Sequence, residues 1–285
     1  MAGAGLIAIK RRIRSINNTK KITRAVGLVA TAKLKKLRGV LELNNHYYSD
    51  FNSIMRELIK DDISNDNIYI KGNKSSNKLL IALTSDSGLC GGFNGNVVNK
   101  SREYLLKDKE KSTLLIVGQK GRAYFKRLNI KSVAEYVEIP DIPTYKETEV
   151  IISKALELFL AGEVGEVSVV YTKFTSAVKQ EVKIKRILPL NVESSEEDMN
   201  TFFEFEPNRE EIFKSMCQSY INKTLLNLML NSKTSEYSLR MTAMDGATSN
   251  ADDLLEKLNL KYNRIRQSII TQEISEIVGG AEAQR

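Results

Sequence analysis

The chain has 285 residues, 42% of them hydrophobic, and a formal net charge of +8, which allows one or two domains with a buried core. Its two cysteines, Cys90 and Cys217, lie in different predicted elements and give no disulfide framework, as is typical of a reducing compartment. We find no signal peptide, no apolar run of about eighteen residues that would span a membrane, and no Cys/His cluster spaced to bind metal around the single histidine, His46.

The first predicted element is a long helix from about residue 5 to residue 60. Apolar or small residues recur along it at alternating steps of four and three, the heptad spacing of a coiled-coil helix. These residues are Ile9, Ile13, Ile16, Lys20, Thr23, Gly27, Ala30, Leu34, Leu37, Leu41, Asn44, Tyr48, Phe51, Met55 and Leu58. Since globular helices average about 11–12 residues, so long a helix indicates a partner helix, and the small residues Thr23, Gly27 and Ala30 allow its close approach.

The same helix is strongly basic. No acid precedes Glu42, whereas the basic residues before it are Lys10, Arg11, Arg12, Arg14, Lys20, Lys21, Arg24, Lys33, Lys35, Lys36 and Arg38. Such a face favours an anionic partner, which could be nucleic acid, lipid headgroups or acidic protein loops. The alternative is an ordinary solvated helix face.

The middle of the chain alternates strands and helices. A polar linker, 61–77, leads into predicted strands at 79–83, 114–117, 167–174 and 182–188, and predicted helices at 96–109, 122–128 and 147–160. This order predicts a mostly parallel sheet covered on both faces, which is a small Rossmann-like α/β domain over 78–190. In the last of these helices, we expect one face to be formed by Val150, Ile151, Ala155, Leu158 and Phe159. An acidic link, 191–207, follows the domain.

A glycine-rich stretch, SDSGLCGGFNG, runs from Ser85 to Gly95 between a strand and a helix, where a phosphate loop could lie. It lacks both the G-x-G-x-x-G spacing of dinucleotide folds and the Gly-Lys-Ser/Thr of a P-loop. We therefore predict a tight surface loop that another chain approaches closely, with Cys90 exposed in it. No catalytic pair of the Ser/His or Cys/His kind is present, so the chain alone does not have the pattern of an enzyme.

The last predicted element is a helix over 209–279, a stretch without proline. Asn208 and Glu211 form a capping-box pattern at its start, and Gly279-Gly280 marks its predicted end. At about 1.5 Å per residue this helix would be roughly 105 Å long. Its heptad seam consists of Leu230, Thr234, Tyr237, Met241, Met244, Thr248, Ala251, Leu255, Leu258, Tyr262, Ile265 and Ile269. We expect the two terminal helices to pair as an antiparallel coiled coil.

The residues alone leave three other functions open. The basic helix suits a nucleic-acid binder, although it carries no interleaved aromatic residues, and a steep salt dependence of duplex DNA binding would favour this function. Binding of a nucleotide to the isolated chain would favour a nucleotide-dependent enzyme. The third alternative is a generic coiled-coil scaffold.

Three stretches resemble one known family, the gamma subunits of F-type rotary ATP synthases. They are MAGAGLIAIKRRIRSINNTKKITRAVGLVATAKLKK at the start, TSDSGLCGGFNGN in the middle, and SLRMTAMDGATSNADDLLEKLNLKYNRIRQSIITQEISEIVGGAEA at the end. The resemblance therefore covers the whole chain. One departure is Val26, followed by Gly27, where the family commonly has methionine.

The resemblance implies a rotor shaft without an active site or cofactor of its own. The coiled coil would lie inside a hexamer of alpha and beta subunits, and the α/β domain would contact the epsilon subunit and the ring of c subunits. It further implies a peripheral location on the cytoplasmic side of the cell membrane, with no insertion into the membrane and no nucleic-acid partner.

The resemblance also suggests individual contacts. The family's Arg-Gln and Thr positions that meet the beta subunit match Arg266, Gln267 and Thr271. We further expect beta-subunit contacts from Arg240, reaching outward on the same helix, and from Lys33, Lys35, Lys36, Asp86 and Cys90. Shaft packing is assigned to Val26, Ala30, Met244, Leu255, Leu258, Ile265 and Ile269. Phe203 and Phe205 in the acidic link are expected at the ring or epsilon subunit, the alternative being that they plug the α/β domain.

Overall fold

The computed structural model describes residues 2–59, 67–191, 206 and 209–282. In chain order the elements are α1 (Ala2–Ile59), α2 (Ile68–Lys71), β1 (Lys78–Leu83), α3 (Phe93–Lys107), β2 (Ser112–Val117), α4 (Gln119–Arg127), β3 (Ala134–Tyr136), α5 (Tyr145–Leu160), β4 (Glu166–Phe174), β5 (Gln180–Leu188) and α6 (Arg209–Glu282). The chain divides into two compact units, one formed by Met1–Ala30 with Arg240–Arg285 and the other by Thr31–Leu239. The division falls inside both long helices, so each helix contributes to both units.

In the unit formed by the two chain ends, α1 and α6 pair antiparallel. The hydroxyls of Thr23 and Thr248 lie 2.8 Å apart in a hydrogen bond, and Lys20 forms an ion pair with Asp252. Gly27 is buried, and a Cβ atom at this position would lie 3.4 Å from the Cβ of Met244. Thr23, Gly27, Met244 and Thr248 lie on the predicted seams, because those positions return to the same side of each helix. Asp252 lies beside the seam residue Ala251.

The predicted end of α6 at Gly279-Gly280 is wrong, since the helix continues to Glu282. Glycine ends a helix when it adopts a left-handed conformation, and among the described glycines those with positive φ are Gly72, Gly91, Gly118 and Gly162. The predicted capping residue Asn208 lies outside the described residues.

The other unit is built on a five-stranded sheet in the order β3-β2-β1-β4-β5. β1, β2, β3 and β4 run parallel, and β5 pairs antiparallel with β4 at the edge. The central strands are buried on both faces, as their continuous apolar runs require. One face packs against α5 and parts of α1 and α6, and the other packs against α3 and α4.

These findings confirm the predicted fold class, with three local differences. The short helix α2, capped by Asn67, lies within 61–77, which was predicted to be a linker. β3 was not predicted, because its three residues are too few to show a periodic pattern. Val150 was predicted on the buried face of α5 but is 54% exposed, since that face is formed by Ile151, Ile152, Ala155 and Phe159 instead.

One stretch of α6 in this unit is buried on every side. All residues from 224 to 238 are buried, including the polar run Asn231–Ser238. On one side α6 contacts α1, where Asn227 donates a hydrogen bond to Asn45 over 2.8 Å and the Tyr48 and Thr224 hydroxyls lie 3.3 Å apart. On the other side it packs against the sheet.

Candidate functional site

The carboxyl ends of the parallel strands are the place where α/β folds of this kind usually bind ligands. In this chain α6 fills that place. Leu83 and Val117, at the ends of β1 and β2, face Met229, Ser232 and Lys233 of α6, and the cavity left between them has a volume of about 10 Å³. Small-molecule sites usually have volumes of about 300–1,000 Å³. A nucleotide therefore does not fit at this edge of the sheet.

The polar face of α6 is joined to β4 by hydrogen bonds. The Ser232 hydroxyl accepts a hydrogen bond from the Thr172 amide over 3.1 Å, and Asn231 Oδ1 accepts one from the Phe174 amide over 3.3 Å. The Ser235 hydroxyl donates to the Thr172 carbonyl over 3.2 Å. Because β1 pairs with β4 only as far as Val170, these side chains take the partner positions that a longer β1 would occupy.

Asp86, at the start of the glycine-rich loop, binds neighbouring backbone. Its carboxylate accepts hydrogen bonds from the amides of Gln119 and Glu138 over 3.0 Å and from the amide of Ile139 over 3.1 Å. Asp86 thus joins the loop after β1 to the start of α4 and to the loop after β3. The sequence indicated a contact with a partner chain for Asp86, and the structure adds this internal role.

Cys90 is 2% exposed, so the expectation that it is exposed in the loop is wrong. Asn94 donates a hydrogen bond to the Cys90 sulfur over 3.3 Å and another to the Ser85 hydroxyl over 2.7 Å. These bonds fold the loop over the thiol. The adjacent residue, Leu89, has a φ of 63° and is 63% exposed, so it occupies the outward position that we expected for Cys90.

Lys33, which was also expected to contact a partner, bonds within the chain. Its ammonium pairs with the carboxylate of Asp141, which also accepts a hydrogen bond from the Tyr237 hydroxyl. The Lys33 ammonium lies 5.3 Å from the centroid of the Tyr237 ring. Burial alone would raise the pKa of Asp141, but these hydrogen bonds, with the charges of Lys33 and Lys233, lower it. Lys35 and Lys36 are exposed.

Lys233 forms a second charged group, and it is buried. Its ammonium lies 3.6 Å from the carboxylate of Glu236 and 4.0 Å from that of Asp86, and it donates a hydrogen bond to the Ile139 carbonyl over 3.5 Å. A buried charge has to be paired and hydrogen-bonded to be tolerated, and these partners meet that need. Sequence analysis missed Lys233 and Glu236, because polar residues beside a heptad seam are usually solvated.

Along α6 the expected contact residues differ in exposure. Arg266, Gln267 and Thr271 are exposed. Arg240 is only 5% exposed, so the expectation that it reaches outward is wrong. Ala30, Met244 and Leu255 are buried, and Val26, Leu258, Ile265 and Ile269 are partly buried. Phe203 and Phe205 lie outside the described residues.

The described residues offer little other site chemistry. Cys90 and Cys217 are both buried, and burial raises the pKa of Cys217 to about 12. Within the described ranges no three His, Cys, Asp or Glu side chains come together as a metal site. None of the helices, as far as the structure describes them, is both long and apolar enough to cross a membrane.

Comparison with known proteins identifies the family. The family model described as ATP synthase matches residues 5–284. The ATP synthase gamma chain of Clostridium novyi is 62% identical over 284 residues, covering 100% of both chains. The chain belongs to the ATP synthase gamma chain family. The gamma chain of Clostridium kluyveri is 56% identical over 99% of both chains.

Solved structures agree with this assignment. The central stalk and c-ring structure of the Tetrahymena thermophila mitochondrial ATP synthase matches with a TM-score of 0.64 and 25% identity, covering 79% of this chain and 99% of that chain. A chain of the Euglena gracilis mitochondrial enzyme matches with a TM-score of 0.70 over 99% of this chain and 95% of that chain; at 17% identity it shows the shared fold alone.

Family membership confirms the resemblance seen in the three sequence stretches. As a gamma chain, the protein is a non-catalytic subunit of ATP synthase and acts as its rotor shaft. The filled carboxyl edge of the sheet is consistent with this, because the place where a nucleotide would bind is occupied by α6. The alternative of a nucleotide-dependent enzyme therefore has no sequence motif to support it, and the described carboxyl edge of the sheet leaves no room for a nucleotide.

Proposed function

We propose that this gamma chain turns inside a hexamer of alpha and beta subunits and couples ion flow through the ring of c subunits to ATP synthesis or hydrolysis on the beta subunits. One observation carries the proposal beyond family membership. In the distal part of α6, the seam residues Ile265 and Ile269 are partly buried, while the neighbouring Arg266, Gln267 and Thr271 are exposed. The same stretch of helix thus shields its apolar seam residues and presents polar groups to solvent.

The mechanism is a shift of conformational populations. A ligand can shift an equilibrium only by its differential affinity for the states, and here the shaft takes the place of the ligand. Because α1 and α6 carry different side chains, each orientation of the shaft presents a different surface to each beta subunit. The exposed Lys35 and Lys36 on α1 would face acidic beta-subunit loops, and charged contacts of this kind act over several ångströms and separate without exposing a core.

The α/β unit and the acidic link would form the lower contacts. We assign the epsilon subunit and the c ring as partners of this region, with Phe203 and Phe205 among the contact residues. The chain would then be held at the cytoplasmic side of the cell membrane through the assembled complex.

The test is a double substitution, Arg266→Leu with Gln267→Leu, in the purified complex. A charge-assisted hydrogen bond contributes roughly 1.5–3 kcal/mol, and about 1.4 kcal/mol corresponds to a tenfold change in rate. We therefore expect ATP hydrolysis and ATP-driven ion pumping to fall at least about tenfold while the complex stays assembled.

The matched control is Asn263→Leu with Arg264→Leu, which changes two exposed residues less than one turn away. This control should stay near the wild-type rates, because an exposed substitution without a partner changes the free energy by about 0.5 kcal/mol or less. Wild-type rates in the Arg266/Gln267 variant, or an equal loss in the control, would contradict the assigned contact.

A further inference from the structure

We propose that residues 138–141 form a clamp that locks both long helices to the sheet and carries torque between them. This inference rests on the proposed rotor function. The clamp follows β3 and precedes α5. Its contacts with Lys33, Asp86, Lys233 and Tyr237 lie within the unit Thr31–Leu239. It assigns positioning roles to Lys33, Asp86, Asp141, Lys233 and Tyr237.

The clamp is fixed to the sheet through its backbone. Asp86, in the loop that follows β1, binds the amides of Glu138 and Ile139. Glu138 has a φ of 60°, an uncommon conformation for a residue with a side chain. Such a conformation persists when the surroundings impose it, and the two hydrogen bonds to Asp86 provide that constraint.

The other half of the clamp binds the helices. Lys233 of α6 donates a hydrogen bond to the Ile139 carbonyl, and further along the same loop Asp141 binds both Tyr237 of α6 and Lys33 of α1. This short loop therefore contacts the sheet edge, α1 and α6 together.

The kind of contact matters for a turning shaft. Apolar packing depends on buried area and has no preferred direction, so a helix held only by packing meets little resistance to slipping about its own axis. Hydrogen bonds and close ion pairs have strict distance and angle requirements, so the same slip would break them. Lys233, whose side chain is 9% exposed, also lies 4.0 Å from the carboxylate of Asp86 in the loop after β1. A slip of α6 would move the buried ammonium away from this partner, and weakening the pairing of a buried charge is costly.

The polar run of α6 supports the same conclusion. Ser232, Asn231 and Ser235 bind the backbone of β4, so α6 is held to the sheet by directional bonds at two separate places. The bonds to β4 involve α6 alone, whereas the clamp also binds α1. We therefore choose the clamp for the test.

The experiment replaces Asp141 with alanine in the purified, assembled complex. If the clamp transmits torque, ATP hydrolysis should stay within about twofold of wild type, while the number of ions pumped per ATP hydrolysed should fall at least about fivefold, the effect of roughly 1 kcal/mol. A loss of general stability would lower both activities together. The charge exchange Lys33→Asp with Asp141→Lys should restore part of the pumping, because it rebuilds the ion pair.

The matched control is Asp108→Ala. Asp108 pairs with Lys78 in the same unit at similar side-chain exposure. Lys78 is 31% and Asp108 45% exposed, against 41% for Lys33 and 44% for Asp141. This variant should pump like wild type. If Asp141→Ala prevents assembly, Tyr237→Phe, which removes one hydroxyl, should still lower the pumping ratio about twofold.

Each outcome bears on one proposal. Normal pumping by an assembled Asp141→Ala or Tyr237→Phe complex would refute the clamp and leave the rotor function intact. An equal loss in Asp108→Ala would also refute it. Failure of the complex containing the wild-type chain to couple hydrolysis to pumping would instead refute the proposed rotor function.

Discussion

Asp141 lies between Lys33 of α1 and Tyr237 of α6, and its charge is stabilised by both of them. Burial alone would raise its pKa, yet the hydrogen bonds from these two side chains and the charges of Lys33 and Lys233 lower it. The folded state therefore binds the Asp141 proton less readily than the unfolded state does. The ionised carboxylate stabilises the fold for the same reason.

This shift gives a pH-dependent prediction for Asp141→Asn. Because the folded pKa is below the unfolded value of about 3.9, the stabilisation is fully present above that value and is lost as the pH falls through the folded pKa. Wild type should exceed the variant in unfolding free energy by at most about 1 kcal/mol at neutral pH, since the pair is partly exposed. Urea unfolding of the full chain between pH 7 and acid conditions measures the difference. A difference that does not shrink on acidification would contradict the prediction.

At the scale of elements, α6 has two different environments along its length. In the unit of the chain ends it buries one seam, whereas residues 224–238 are buried on every side. The polar run Asn231–Ser238 satisfies backbone groups of β4 that β1 does not reach. A buried amide without a partner is costly, so we expect these side chains to contribute more to stability than polar helix residues usually do.

The substitution Ser232→Ala tests this role. It leaves the buried Thr172 amide without its hydroxyl partner, so the free energy of unfolding should fall by about 1–3 kcal/mol. The control is Ser215→Ala, an exposed serine of the same helix whose hydroxyl donates to the Ile212 carbonyl. That change should be within about 0.5 kcal/mol of wild type. Urea unfolding of the full chains measures both, and equal stability of the two variants would show that α6 does not depend on this bond.

The same elements show which structural features could be predicted from the sequence alone. Both long helices could be predicted because a heptad repeat that continues over many turns is specific to helices that pair along a seam. The polar run of α6 could not be recognised as buried, since its partners are backbone groups of β4 about sixty residues away, which leave no periodic signal. Cys90 was expected to be exposed because glycine-rich loops are usually at the surface, whereas the Asn94 hydrogen bonds that bury it depend on the folded loop.

At the scale of the whole molecule, the charge is distributed unevenly. The chain carries 43 basic and 35 acidic residues, yet no acid occurs before Glu42. Some of these basic groups form ion pairs within the chain. Lys33 pairs with Asp141, and Lys20 pairs with Asp252. Lys35 and Lys36 are exposed, and we expect them to act on association with an acidic partner, because exposed charges steer encounter more than they stabilise the final contact.

The final prediction concerns assembly with an alpha-beta hexamer. Reversing both charges, Lys35→Glu with Lys36→Glu, should slow association of the purified chain at low salt by about tenfold and weaken its dependence on ionic strength. The control is Lys126→Glu with Arg127→Glu on α4, where both residues are exposed and the change in total charge is the same. Stopped-flow association over a range of salt concentrations compares them. If net charge alone governed the encounter, both variants would slow equally; a loss confined to the α1 variant would assign the steering to the basic face of that helix.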